Sequence, residues 1–242
     1  YLILAARTPT AWPAVQDPLD PLDVLVIANR VGHVDLDPAW QWVAGTEDER
    51  DAVNAGRCMV MAKLPIRRTI STSLDFSDVW PEDDTPDRAW LSVVEFDRPQ
   101  RGQLTLWVVD LPSPISISRT LVIDRLLEHA RSLQVTACTF DEAGRRRAER
   151  NSTLPTPDLI VGDFNTPRWS PALSPIEDVF DAREVSSQVA IGPAGTFPSP
   201  RSFWPIDLFY TTGRGQAVAH ETHVVEGLRH RLVTATVQRP AP

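Results

Sequence analysis

The residues best suited to chemistry stand at the end of an apolar run late in the chain. Residues 159–162 are Leu-Ile-Val-Gly, Asp163 follows them directly, and Asn165 comes two residues later. Side chains two residues apart on an extended segment point the same way, so this carboxylate and this amide can meet one small ligand. An aspartate there can orient a water molecule as a base, and an asparagine can donate to a phosphoryl oxygen. The pattern is equally typical of a strand end with two turn-forming polar residues, and this alternative stays open.

Two other sets of side chains are weaker candidates. His220 and His223 are three residues apart, which suits two metal ligands on one face of a helix. Residues 217–225 also suit a strand, however, and no third ligand is evident nearby. Trp169 and Trp204 are interpreted as core or loop anchors, with the lining of a ligand pocket as the alternative.

The composition limits the classes of partner. The chain has 242 residues, is 42% hydrophobic and carries a formal net charge of −8. Surfaces that bind nucleic acid without specificity are basic, so strong binding of that kind is not expected. The arginines at 145–147 and 150 are interpreted as a solvated loop or helix end. We expect no membrane span, because no apolar run reaches about 18 residues, and the two cysteines predict neither a disulfide framework nor a zinc site.

The remaining pattern predicts an α/β fold. Apolar, β-branched runs predict strands at residues 1–6, 23–28, 58–62, 69–74, 158–162, 206–211 and 232–237, with a hairpin formed by 90–96 and 104–109. Apolar residues at helical spacing predict an amphipathic helix over 118–133, and Pro175 favours a short helix over 174–181. Residues 141–157 are polar and are expected to be an exposed connection. This order favours two packed sheets with helices outside, in one domain over residues 1–242.

The segment Gly-Asp-Phe-Asn at 162–165 resembles the signature of the endonuclease/exonuclease/phosphatase superfamily, and several further segments extend the likeness in the right order. They are residues 56–66, 165–182, 195–198, 205–207 and 230–237, which together span nearly the whole chain. The resemblance implies a DNase I-like, four-layer α/β/β/α sandwich of two mostly antiparallel sheets. It also implies hydrolysis of phosphate esters with Mg²⁺ or Mn²⁺, on substrates that range over DNA, RNA, inositol phosphates and sphingomyelin.

Four residues of this chain match the catalytic motifs of that superfamily. Asp163 matches the base-like aspartate, Asn165 the phosphate-facing asparagine, His230 the terminal histidine, and Asp207 the aspartate of the Ile-Asp strand. Trp169 follows the motif closely and is a candidate for contact with a substrate. The resemblance therefore implies that these side chains surround a phosphoryl group.

Other motif positions depart from the superfamily pattern. Asn29 stands where a glutamate holds the metal, and Asp110 stands where a histidine is usual, which leaves these two as the candidate metal ligands. Arg229 stands where an aspartate pairs with or orients the histidine, and Ala6 or Arg7 stands where the first strand ends in asparagine. Asp110 and Arg229 are also candidates for contact with an anionic substrate.

These departures favour a degenerate member that has a binding or interaction role, lacks the metal-dependent activity and needs no cofactor. The alternative is an active phosphodiesterase or phosphatase that uses Mg²⁺ or Mn²⁺, with Asp163 as the base and a remodelled metal site; such an enzyme is a metal-dependent phosphoric ester hydrolase. Both interpretations predict a phosphate ester or another anion as ligand. The compartment stays open, because the similar bacterial proteins often sit behind membrane helices and this chain starts at Tyr1 without a methionine.

Overall fold

The computed structural model describes residues 2–6, 24–28, 41–44, 59–62, 64–74, 76, 89–98, 102–114, 116–132, 135–140, 145–190, 194–213, 215–224 and 228–238. The strands are β1 (Leu2–Ala6), β2 (Val24–Ala28), β3 (Gln41–Ala44), β4 (Met59–Ala62), β5 (Ile66–Leu74), β6 (Ala89–Arg98), β7 (Gly102–Asp110), β8 (Val135–Phe140), β9 (Arg146–Ser152), β10 (Leu159–Asp163), β11 (Ala182–Glu184), β12 (Asp207–Thr212), β13 (Gln216–His223) and β14 (Leu232–Gln238). The helices are α1 (Arg119–Ser132), the 3₁₀ helix Pro171–Leu173, α2 (Ser174–Phe180) and α3 (Val185–Val189).

In this part of the chain the strands form two sheets. The smaller sheet has the order β13-β14-β1-β2-β4-β3, and the larger has the order β11-β12-β10-β7-β6-β5-β8-β9. Strands β1 and β2 are parallel, as are β7 and β10, and the other paired neighbours are antiparallel. The prediction of two mostly antiparallel sheets is therefore confirmed.

Side chains on the two faces of the larger sheet pack into two different apolar cores. On one face, Val94, Val108 and Val161 pack with residues of the smaller sheet such as Val26 and Val233. This apolar layer joins the two sheets, because each strand places every second side chain on the same face.

The opposite face of the larger sheet is covered by helices. Val93 and Trp107 on this face pack with Ile123 and Leu126 of α1 and with Ile176 of α2. The described residues therefore form three layers, which are helices, the larger sheet and the smaller sheet, and these are three of the four layers that the resemblance implies.

Most predicted elements are confirmed, including the hairpin of β6 and β7 and the helix α1. One expectation is wrong. Residues 146–152, expected to lie in an exposed connection, form the edge strand β9, which pairs with β8. Its charged residues fit an edge position because they discourage pairing with another chain.

His220 and His223 lie on strand β13 and not on a helix. Side chains three apart on a strand point to opposite faces, so these two histidines do not form a pair of metal ligands. Within the described residues, the structure contains no helix that is long and apolar enough to cross a membrane.

Candidate active site

Three neighbouring strands each bring a carboxylate to the same end of the larger sheet. Asp163 at the end of β10 lies opposite Asp110 at the end of the parallel strand β7, and opposite Asp207 at the start of the antiparallel strand β12. Residues paired in this way lie side by side across the sheet. All three are buried, with exposures of 6% for Asp110, 4% for Asp163 and 5% for Asp207. The register of the sheet therefore creates a row of buried acids.

Gly162 allows β10 to lie against β7 at this point. Its φ is +150°, and a Cβ atom added there would lie 1.8 Å from the carbonyl oxygen of Val109. Only glycine fits such a position, because a side chain would collide with the backbone of the neighbouring strand. The ladder continues past the glycine, since the Leu111 amide donates to the Asp163 carbonyl at 2.9 Å.

His230 joins the carboxylates from the turn before β14. Its Nδ1 donates to Oδ2 of Asp207 at 2.8 Å, and its side chain is 12% exposed. Burial by itself would lower the pKa of His230, but the carboxylates of Asp207 and Asp163 outweigh burial and raise the pKa above the usual value. The bond to Asp207 fixes the protonated Nδ1 tautomer and leaves Nε2 for a ligand.

Asp163 is held at the centre of the row. Its Oδ1 accepts a hydrogen bond from the backbone amide of Asn165 at 2.9 Å, and Asn165 adopts a left-handed φ of 46°. Burial raises the pKa of Asp163 well above its usual value, and the nearby charges of Asp207 and Asp110 raise it further against the opposing effect of His230. The site therefore favours the uptake of positive charge, either as a proton or as a cation.

The side chain of Asn165 is partly committed to the protein. Its Nδ2 donates to the carbonyl of Leu111 at 2.7 Å, which ties the end of β10 to the end of β7. An amide group has a second N–H and an acceptor oxygen, so Asn165 keeps capacity for a ligand.

The donor set fits a divalent cation. One ligand atom from each of Asp163, Asp207 and His230 lies within 4.8 Å of the others. Oδ1 of Asp207 is also buried and has no hydrogen-bond partner among the described residues. A buried carboxylate oxygen without a partner is costly, and a hard cation would satisfy it.

The predicted site residues fall into two groups. Asp110, Asp163, Asn165, Asp207 and His230 are brought together at one end of the sheet. Although Arg229 stands at the motif position where an aspartate is usual, Asp207 gives His230 a carboxylate partner from another strand.

The remaining candidates lie around this cluster or outside the described residues. Arg229 is exposed, and its guanidinium carbon lies 5.8 Å from the centre of the Phe197 ring. Trp169 is 61% exposed, and its ring centre lies 6.2 Å from that of Trp204. Asn29 and Arg7 lie outside the described residues, and Ala6 ends β1.

Arg119 and Thr196 support the site and were not among the predicted residues. Arg119, at the start of α1, donates to the carbonyls of Pro112, at 2.6 Å, and of Pro114, and so fixes the segment that follows Asp110. Burial lowers the pKa of Arg119, and the nearby Asp163 partly offsets that effect. The sequence gives no local signal for these contacts.

Thr196 is buried and accepts hydrogen bonds at Oγ1 from the backbone amides of Ile206 and Asp207, at 3.3 Å and 3.2 Å. It thereby holds the residues 194–206 against the start of β12. The sequence could have identified Thr196 as a site residue, because Thr196 belongs to the segment 195–198 that resembles the superfamily.

Comparison with known proteins gives a likeness in structure only. No protein-family model matches the chain, and no curated protein matches its sequence. A mannosyl-6-phosphatase from Bacteroides thetaiotaomicron is similar over 98% of this chain and 100% of its own, with a TM-score of 0.66 and 13% identity. An endonuclease/exonuclease/phosphatase from Beutenbergia cavernae is similar over 98% of this chain and 71% of its own, with a TM-score of 0.60 and 15% identity.

The inositol polyphosphate 5-phosphatase domain of SPsynaptojanin, solved with inositol (1,4)-bisphosphate and calcium ion, is also similar. It covers 98% of this chain and 83% of its own, with a TM-score of 0.53 and 12% identity. The chain therefore has the fold of the endonuclease/exonuclease/phosphatase superfamily, as the sequence motifs predict.

Proposed function

We propose that this chain is a metal-dependent phosphoric ester hydrolase with a remodelled metal site. The observation that carries the proposal is the convergence of Asp110, Asp163 and Asp207, all buried, with His230 bonded to Asp207 at 2.8 Å. Three buried acids are expensive to maintain, and they cluster in this way where a cation or a reacting group offsets their cost. Two of the similar structures are named as phosphatases, which supports this class of reaction.

Asp163 and Asp207 are the residues that would hold Mg²⁺ or Mn²⁺, with Asp110 beside Asp163 in the same row. When bound, the ion supplies positive charge that stabilises the phosphoryl oxygens and activates a bound water molecule. Asn29 is proposed as a further ligand on the motif alone. Arg229 is proposed as a cation that contacts the substrate at the edge of the site.

The protein groups have distinct proposed roles. Asp163 orients the attacking water and accepts its proton. His230 donates from Nε2 to a phosphoryl oxygen, and Asp207 orients the imidazole and favours its protonated form. Asn165 donates its second amide hydrogen to the same phosphoryl group.

We also infer that residues 1–242 form one domain with a fourth layer of helices on the outer face of the smaller sheet. The similar structures support this inference, because each matches 98% of the chain.

A second candidate function is an anion-binding module without catalysis. The presence of Arg229 at a motif position that is acidic in the superfamily favours it, because a cation there attracts an anion without a metal.

Phosphate release from a panel of phosphate monoesters and diesters, with and without Mn²⁺ or Mg²⁺, separates these two functions. We expect turnover that requires the ion and falls at least about 100-fold in Asp163→Asn, since a positioned base contributes about that much. Asp178→Asn, a change of an exposed carboxylate on α2, is the matched control and should keep full activity. Absence of turnover over the whole panel, together with retained anion binding, would support the non-catalytic module.

A further inference from the structure

Three exposed aromatic side chains form a continuous surface beside the site. Trp169, Phe203 and Trp204 are 61%, 61% and 42% exposed, and we call them the aromatic platform. The ring centres of Trp169 and Trp204 are 6.2 Å apart, and those of Phe203 and Trp204 are 5.7 Å apart. Large apolar rings that are both exposed and clustered mark a binding surface more often than a chance arrangement.

The platform lies on the same side as His230. Phe197 and Trp204 are directly paired in an antiparallel bridge, and residues paired in this way place their side chains on the same side. The ring of Phe197 lies 4.8 Å from the imidazole of His230, measured between centres. Trp204 therefore lies on the same side as Phe197, the residue that contacts His230, and Trp169 contacts Trp204 in turn.

The platform is held in place by hydrogen bonds. The amides of Thr196 and Phe197 donate to the carbonyl of Trp204 at 3.0 Å, and the Trp204 amide donates to the carbonyl of Phe197 at 3.0 Å. Arg168, the neighbour of Trp169, donates its amide to the carbonyl of Pro205 at 3.1 Å. These bonds fix the backbone at Trp204 and next to Trp169. Rings that are in mutual contact on a fixed backbone suit stacking against a planar group better than insertion into a lipid layer.

Two arginines lie near the platform, one by sequence and one by contact with Phe197, although the whole chain carries a net charge of −8. Arg201 and Arg229 are both exposed, and Arg229 lies over the Phe197 ring. Arginine next to aromatic rings suits a ligand with an anionic group and a planar group. The net negative charge opposes a long polyanion, so a short ligand is favoured.

We propose that the aromatic platform binds the base of a small nucleoside phosphate ester, whose phosphate lies at Asp163 and His230. This inference rests on the proposed function for the position of the phosphate. It adds a substrate class, which is a phosphate ester of mononucleotide size with a planar ring.

Calorimetry on the full chain carrying Asp163→Asn measures this binding without turnover. The ligands are adenosine 5′-monophosphate and ribose 5-phosphate, which carries a hydroxyl group in place of the base. We expect the nucleotide to bind about tenfold more tightly, because one stacked base contributes about that factor. Trp169→Ala or Trp204→Ala should remove most of the difference, Trp204→Phe should keep it, and Val218→Ala, at an exposed position on β13, is the control.

Equal affinity for the two ligands, or a preference that both alanine variants retain, would overturn the proposal. Binding to vesicles of sphingomyelin that depends on the tryptophans, without preference for the nucleotide, would also overturn it in favour of a membrane surface. A base-dependent preference in a protein whose wild type releases no phosphate from any ester would support the platform and reject the hydrolase, so the two proposals fail separately.

Discussion

At the scale of single residues, the pair formed by Asp207 and His230 is the clearest functional unit. Asp207 comes from the start of β12 and His230 from the turn before β14, and their 2.8 Å hydrogen bond joins two buried side chains. A histidine oriented by a carboxylate can hold one tautomer and present its other nitrogen to a reacting group. Arg229 stands where the superfamily motif has an aspartate, but this difference does not remove the pair of Asp207 and His230.

We predict that Asp207 and His230 act as one unit in catalysis. Asp207→Asn and His230→Asn should each lower kcat by about 100-fold to 10,000-fold, and the double variant should lose little more than either single variant. The measurement is kcat with Mn²⁺ for the four proteins, with thermal unfolding to verify that each is folded. Losses that multiply in the double variant would contradict a shared role.

A second residue-scale prediction concerns pH and His220 on β13. Burial, helped by the charge of Arg168 and opposed by Glu184, lowers the pKa of His220 below its usual value of 6.5. The unfolded chain therefore takes up this proton at a higher pH than the folded chain, so stability falls as pH falls through about 6.5.

His220→Gln cannot take up that proton and should lose less stability than the wild type between pH 8 and pH 5. Urea unfolding of both proteins at the two pH values measures the effect, and the difference between them at pH 8 is the baseline. An equal fall in both proteins would show that His220 does not contribute to the acid sensitivity.

The sequence alone predicts only part of the site at this scale. Asp163 and Asn165 are visible because they are neighbours in one motif at a strand end. The bond between Asp207 and His230 spans 23 residues, and no local pattern signals it; only the superfamily motifs bring the two together. The contacts of Arg119 with Pro112 and Pro114 depend on the path of a loop, which residue types do not determine.

At the scale of elements, the site depends on how β10 lies between β7 and β12. The three carboxylates come together because Asp163 is opposite both Asp110 and Asp207. A shift of β10 by one residue would turn Asp163 to the other face of the sheet.

We predict that Gly162→Ala strongly destabilises the protein. The new Cβ would lie 1.8 Å from the Val109 carbonyl oxygen, so β7 and β10 would have to separate. The expected loss in free energy of unfolding is on the order of 4 kcal/mol, which is typical of severe steric changes in a core.

Gly213→Ala is the matched control, because Gly213 also has a positive φ, of +56°, but nothing lies within 4 Å of its added Cβ. Its cost should be about 1–2 kcal/mol from backbone strain alone. Urea denaturation gives both values, and similar losses in the two variants would contradict the importance of the close approach.

Elements with a strong hydrophobic pattern were predictable, and those without one were not. Helix α1 shows regular apolar spacing and buries Val122, Ile123, Leu126 and Leu127, so its prediction is confirmed. Strand β9 reads Arg-Arg-Ala-Glu-Arg-Asn-Ser and shows no apolar alternation. It is a strand because it pairs with β8 at the edge of the sheet, and sequence pattern does not reveal pairing.

At the scale of the whole molecule, the two sheets share an apolar core and carry the acid cluster at one end of the larger sheet. Such a core could be predicted from the apolar runs, which also favoured two packed sheets. Whether the cluster binds a metal could not be predicted, because the motif positions held by Asn29 and Arg229 lack their usual carboxylates. The row of acids that favours a metal site is visible only in the folded chain. The net charge of −8 adds to the repulsion that a bound cation would relieve.

The most direct test of the proposed metal site is calorimetric titration of Mn²⁺ and Mg²⁺ into the wild type, Asp163→Asn and the control Asp178→Asn. We predict one saturable site in the micromolar-to-millimolar range in the wild type and in the control, and its loss in Asp163→Asn. Absence of binding for both ions in the wild type, or unchanged binding in Asp163→Asn, would contradict a metal site at Asp163 and Asp207.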